Sequence, residues 1–160
     1  MKNPKVTVRK NTSRKQPTHD YLKYWRTIRY WIKAKYGLTQ SDLDVILFLN
    51  SEGYFTKDKF NEFDELLSWE DKRFDRLHAK GWIQTFRKRN GPTKAVYVLS
   101  YKAKRVCTSI YKKLSGEEIP TSQSANPMFA KNVKYTDKVY RNFIKNLNKS
   151  IRQQRHRAPE

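Results

Sequence analysis

The chain has 160 residues, of which 35 are Lys or Arg and 15 are Asp or Glu, so its formal net charge is +20. An ordinary metabolic enzyme does not need such an excess, and the charge predicts a polyanionic partner. The single cysteine, Cys107, excludes an internal disulfide and favours a reducing, intracellular setting. The chain lacks both an apolar run of roughly 18 residues and a signal-peptide stretch, which predicts a soluble protein without a membrane partner.

Aromatic residues make up 14% of the chain, which is more ring surface than a disordered basic tail carries. A chain of this length can fold as one domain, because a single core becomes well buried near ~100 residues. Residues 1–18 contain six Lys or Arg, no acid and two Val, so they cannot bury enough surface to become ordered. We therefore predict a disordered basic arm over residues 1–18 and a folded domain over residues 19–115.

Hydrophobic spacing predicts four helices in the first half of that domain. The first covers residues 20–36, and a capping box at residues 39–42 opens the second. Thr56 is expected to cap a third helix that turns four apolar side chains toward the core: Phe60, Phe63, Leu66 and Leu67. A second capping box at residues 68–71 opens the fourth helix. Residues 37–67, which hold the second and third helices, sum to a charge of −5. These two helices should therefore face away from a polyanion.

The second half of the chain begins with a predicted hairpin. Two runs with strand composition, residues 82–88 and 94–99, flank Asn90-Gly91, which is a strong turn signal. Ser100 opens a fifth helix whose apolar stripe contains Cys107 and should bury it. Composition then predicts a linker over residues 116–135, an amphipathic C-terminal helix over residues 136–154 and a tail over residues 155–160. The predicted fold class is mainly α with a small two-stranded β-hairpin.

The order of these elements and three motifs within it resemble the MarR family of winged helix-turn-helix regulators. The motifs are Leu38–Leu49 in the second helix, Phe74–Ile83 from the fourth helix into the hairpin, and Val96–Ser100 in the return strand. The resemblance implies a winged helix-turn-helix fold and a homodimer joined through its first and last helices. It also implies that the fourth helix enters the major groove of double-stranded DNA, while the hairpin, or wing, reaches the neighbouring backbone or minor groove.

Basic side chains on these elements are the candidate DNA contacts. On the fourth helix, the helical period predicts that the basic side chains lie opposite Phe74 and Leu77, where they would contact bases or phosphates. Three consecutive cations at the hairpin tip repel each other and contribute little to folding, which favours phosphate contact. The candidates are Lys72, Arg73, Arg76 and Lys80 on the recognition helix, Arg87, Lys88, Arg89 and Lys94 on the wing, and Arg9, Lys10, Arg14 and Lys15 on the arm. Trp25, Val139, Phe143 and Leu147 form the predicted dimer interface.

No enzyme activity, metal site or cofactor is predicted. The three histidines lie far apart in sequence and have no partner ligand at metal-binding spacing. The acids of the third helix have the pattern of a solvated face rather than of a paired general acid and base. The sequence favours a sequence-specific transcription regulator in the cytoplasm or on the nucleoid. The alternative is a viral or nucleoprotein packaging protein, located in a virion, that binds nucleic acid non-specifically, and RNA is a further candidate partner.

Overall fold

The computed structural model describes residues 21–157, which form a mainly helical fold with a small antiparallel sheet. The helices are α1 (Tyr21–Tyr36), α2 (Gln40–Glu52), α3 (Lys57–Asp64), α4 (Arg73–Ala79), α5 (Tyr101–Leu114) and α6 (Tyr135–Arg157). The strands are β1 (Tyr54–Phe55), β2 (Ile83–Arg87) and β3 (Val96–Leu99), and a 3-10 turn covers Pro127–Phe129. The predicted basic arm, with its candidate contacts Arg9, Lys10, Arg14 and Lys15, lies outside the described residues.

The mainly helical fold and the hairpin of β2 and β3 are as predicted, but the prediction of only two strands was wrong, because β1 adds a third in the order β1-β3-β2. The additional strand follows α2, where Gly53 has a φ of 74° that other residues rarely adopt. Tyr54 then pairs with Val98, and Phe55 pairs with Tyr97. A strand of two residues is too short to show alternation, and its pairing partner lies more than 40 positions away in sequence. Local pattern therefore could not reveal it.

Local capping rules placed three helix starts correctly. The side-chain oxygens of Thr39, Thr56 and Ser100 accept hydrogen bonds from backbone amides three positions later. The predicted start of the fourth helix was wrong, because α4 begins at Arg73 after an N-cap residue that makes no side-chain cap. The third helix likewise ends early, at Asp64, and leaves Leu66 77% exposed. Residues 65–72 thus form a turn region between two short helices.

One hydrophobic core joins all the helices. The side chains of Trp31, Ile46, Leu77 and Ile110 are almost fully buried where α1, α2, α4 and α5 meet. Cys107 is buried as predicted, and burial raises the pKa of its thiol to about 11, which keeps it a poor nucleophile at neutral pH. Within residues 21–157, none of the helices has the length and apolarity needed to cross a membrane.

The segment predicted as a linker, residues 116–135, is packed into this core. Ile119 and Met128 are each 1% exposed. Asn148 of α6 accepts a hydrogen bond from the Ile119 amide and donates one to its carbonyl, both at 2.9 Å. Arg141 donates to the carbonyls of Met128 and Ala130. These contacts hold α6 to the segment that precedes it.

Replacing Asn148 by Ala is expected to lower the free energy of unfolding by roughly 2–4 kcal/mol, because it leaves a buried amide and a buried carbonyl of Ile119 without partners. Urea denaturation followed by circular dichroism measures the change. Asn146→Ala, on an exposed position of the same helix, is the matched control and should change stability by less than about 0.5 kcal/mol. Equal losses in the two variants would show that the Asn148 hydrogen bonds do not secure the segment.

Candidate nucleic-acid interface

The hairpin between β2 and β3 carries its cations on an exposed tip. Arg87, Lys88 and Arg89 are exposed, and Asn90 pairs with Thr93 to close the turn. The Nε of Arg89 donates to the Gly91 carbonyl at 3.2 Å. The side chains of Arg87 and Lys88 have no hydrogen-bond or ion-pair partner within residues 21–157. The wing tip, defined as residues 87–91, therefore presents positive charge that the described part of the chain does not compensate.

The fourth predicted wing cation, Lys94, has a different environment. Its ammonium group forms an ion pair with Asp58 in the first turn of α3, and both side chains are about two-thirds exposed. An exposed pair of this kind contributes little stability, since water and salt screen it. Lys94 thus connects the base of the wing to α3 through an ion pair, and its charge is less available to an external anion than the charges of the tip.

Arg73 is 2% exposed, so the prediction that it lies on the exposed side of α4 was wrong. Residues four apart share a helix face, and Arg73 therefore lies on the same side as buried Leu77. Its guanidinium contacts the carboxylate of Asp64, donates to the Ser68 carbonyl at 2.8 Å and lies 3.4 Å from Glu70. Its Nε is buried without a hydrogen-bond partner and lies 3.7 Å from an Asp42 oxygen, so no side-chain donor of Arg73 reaches solvent.

Arg76 is also occupied within the chain, although its side chain is 27% exposed. Two of its guanidinium nitrogens donate to the two carboxylate oxygens of Asp42 at 2.8 and 2.7 Å. Its Nε donates to Glu70 at 2.7 Å. This is the planar, bidentate geometry in which guanidinium and carboxylate groups bind each other most strongly. A guanine edge would have to compete with two carboxylates for this side chain.

We call this group the ion cluster; it contains Arg73, Arg76, Asp42, Asp64 and Glu70. Asp42 is 3% exposed. Burial alone would raise its pKa, but hydrogen bonds from Arg76 and Thr39, with the charges of Arg76 and Arg73, hold the pKa of its carboxyl below the usual range. The hydrogen bond and charge of Arg76 also lower the pKa of Glu70. Both carboxylates are thus stabilised in their charged form.

The exposed cations of α4 are the lysines at its two ends. Lys72 precedes the helix, and Lys80 follows it. The ammonium group of Lys102, in the first turn of α5, donates to the Lys80 carbonyl at 3.3 Å and lies 3.9 Å from the ring centre of Trp82. Sequence reasoning missed Lys102, because only the packing of α5 against the end of α4 brings it there. We call the wing tip together with Lys72, Lys80 and Lys102 the basic face.

The four predicted dimer residues lie along α1 and α6, which pack against each other within the chain. Leu147 is 3% exposed and is therefore already covered without a partner. Trp25 and Val139 are half-buried, whereas Phe143 is 58% exposed. Val139, Phe143 and Leu147 line a groove of about 810 Å³ between the two helices. The homodimer stays a prediction, with Phe143 as its main exposed apolar group.

No group of His, Cys, Asp or Glu within residues 21–157 has the geometry to hold a metal ion. Comparisons of the chain with protein-family models, with curated proteins and with solved structures gave no match. The resemblance to the MarR family therefore stays a prediction, and the arrangement of the residues carries the functional argument.

Replacing Asp42 by Asn should lower the free energy of unfolding by about 3 kcal/mol at pH 7, because it leaves two half-buried or buried guanidiniums undercompensated. A carboxylate whose pKa is depressed on folding stabilises the protein above its unfolded pKa and loses that effect as the pH falls. The difference between wild type and variant should therefore shrink below about pH 4. Chemical denaturation over a pH series measures it.

Asp71→Asn, which changes an exposed carboxylate before the same helix, is the control for the loss of one negative charge. Its effect on stability should stay within about 0.5 kcal/mol at every pH. A pH-independent penalty in Asp42→Asn would mean that the lost contact is not ionic.

Proposed function

We propose that this protein binds double-stranded DNA through the basic face, in a winged-helix arrangement, and that it holds the duplex mainly by its phosphates. The observation that carries the proposal is the exposed wing tip, where Arg87 and Lys88 lack partners within residues 21–157. Adjacent like charges on a hairpin turn cost stability unless they serve a polyanion. The net charge of +20 also favours a polyanionic partner.

The arrangement of elements supports the winged-helix part of the proposal. Helices α3 and α4 follow one another through a turn, and α4 leads directly into the hairpin of β2 and β3. The strand β2, with five residues, extends the chain by ~16 Å from the end of α4 toward the wing tip. Lys80 and the tip can thus contact separate phosphates on one duplex.

Phosphate contact is favoured over base reading because of how α4 uses its arginines. Arg contacts to guanine are the commonest specific contacts in the major groove, but Arg73 and Arg76 are held by Asp42 and Glu70. The helix itself has seven residues, and its exposed cations are lysines at its ends. Lysine binds phosphate as a point charge and specifies bases poorly. We therefore favour the nucleoprotein or packaging role over a sequence-specific regulator.

The acidic segment, residues 37–67, favours a single orientation of the protein on a DNA duplex. Residues 37–67, which include α2 and α3, sum to −5. Asp42 and Asp64 are taken up by the ion cluster, and Asp58 pairs with Lys94. The four remaining acids, Asp44, Glu52, Glu62 and Glu65, outnumber the two lysines of the segment. Their repulsion from a duplex would turn this part of the surface away, which leaves the basic face toward DNA.

Replacing Arg87, Lys88 and Arg89 together by Ala is expected to leave the Tm nearly unchanged and to weaken duplex binding strongly. Each lost phosphate contact should reduce the slope of log affinity against log salt by roughly 0.9, so the slope should fall by about 2 to 3. Fluorescence anisotropy with a random duplex over a salt series measures it.

A matched variant tests whether position or total charge matters. Lys138, Lys145 and Lys149 are exposed on α6, and their replacement by Ala removes the same number of charges. This variant should keep most of the wild-type salt slope. If the two triple variants lose the same slope, the wing tip has no special place in the interface.

Selection of bound sequences from a random duplex library is expected to return no enriched site. In addition, Lys80→Ala should weaken binding to every duplex by a similar factor, because a phosphate contact carries no sequence information. An enriched palindrome, with a loss of about 1–3 kcal/mol for Arg76→Ala on that site alone, would favour the regulator instead.

A further inference from the structure

A second cluster of cations lies on α1, apart from the basic face. Arg26, Arg29 and Lys33 are spaced three and four positions apart, which places them on one side of the helix. Together with Tyr30, Thr136 and Tyr140 they line a cavity of about 270 Å³ where the first turn of α6 meets α1. None of these residues belongs to the wing or to α4.

No ion pair within residues 21–157 compensates the cations of this cavity. Arg29 and Lys33 are half-buried and have no hydrogen-bond or ion-pair partner within residues 21–157. The Nε of Arg26 donates a hydrogen bond to the hydroxyl of Tyr140 at 3.1 Å, and its two terminal nitrogens remain available to bind an anion. Cations that lose part of their hydration without gaining a counterion destabilise the fold. An anion in the cavity would remove that cost.

One acid, Asp137, contacts a residue of the cavity wall and accepts a hydrogen bond from it. The hydroxyl of Tyr30 donates to Asp137 at 2.5 Å. Burial, together with the hydrogen bond and charge of Asp137, raises the pKa of Tyr30 to about 12, so the tyrosine stays protonated. Tyr30 also stacks on Tyr140 with ring centres 3.8 Å apart. The cavity therefore has a fixed wall, and its three cations exceed the single negative charge of Asp137 by two.

We propose that the cavity formed by Arg26, Arg29, Lys33 and Thr136 is a binding site for a phosphoryl group. Two guanidiniums and an ammonium group offer donors and charge in the combination that phosphate oxygens accept best. The Thr136 hydroxyl can donate as well, and the first turn of α6 carries the positive end of a helix of 23 residues. The phosphoryl group belongs either to a free phosphorylated molecule or to the backbone of DNA.

Isothermal titration calorimetry with inorganic phosphate, at constant ionic strength against chloride, tests the site. Wild type should bind saturably, and the double variant Arg29→Gln with Lys33→Gln should bind at least about tenfold more weakly. The control, Arg87→Gln with Lys88→Gln, removes the same charge from the wing tip and should bind phosphate like wild type. Without phosphate, the α1 double variant should have an equal or higher Tm, because it loses uncompensated cations.

Duplex binding over a salt series distinguishes the two sources. If the cavity takes backbone phosphates, the α1 double variant loses about 0.9 to 2 of the salt slope; if it takes a free phosphorylated molecule, the slope is unchanged while phosphate binding is lost. The site is refuted if wild type shows no saturable phosphate binding and the double variant keeps the full slope. Because only the wing variants test the basic face, failure here leaves the proposed function standing.

Discussion

The structure depends on the buried carboxylate of Asp42, which binds the guanidiniums of both arginines of α4. Asp42 is 3% exposed, and Arg76 forms two short hydrogen bonds with it. Removing one partner of such a buried pair typically costs 3–5 kcal/mol, roughly, because it leaves an uncompensated charge. The ion cluster therefore fixes α4 against α2. Only Lys80, Gly81 and Trp82 separate α4 from β2, so the same contacts also fix the position from which the wing extends.

This use of arginine divides the cations of α4 into two kinds. The planar guanidiniums of Arg73 and Arg76 match carboxylates and serve the fold. The flexible ammonium groups of Lys72 and Lys80 stay exposed at the helix ends. A helix of seven residues with this division has its orientation fixed firmly but offers few groups to a base edge. Under the proposed function, α4 would serve as a rigid support for phosphate contacts rather than as a reader of base edges.

The wing tip and the α1 cavity each bring together cations that have no counterion within residues 21–157. Other cations are paired with carboxylates at short distance, as with Lys113 and Glu117 at 2.5 Å or Arg152 and Glu118 at 2.7 Å. A protein of net charge +20 repels itself, so positions where the cations have no counterion are the ones that gain most from an anion. Both proposed sites are places where several such cations lie close together.

The sequence by itself determined the features that depend on neighbours a few residues apart. The caps at Thr39, Thr56 and Ser100 and the turn at Asn90-Gly91 follow from local backbone chemistry, and so does the exposure of the wing tip. Only the tertiary structure decided which polar groups meet across long separations. Asp42 lies 34 positions from Arg76, and Ile119 lies 29 positions from Asn148. Periodicity predicts on which face of a helix a residue lies, but not which residue contacts it. A charged side chain is buried only where a partner compensates its charge, so its burial depends on contacts that the local sequence does not show.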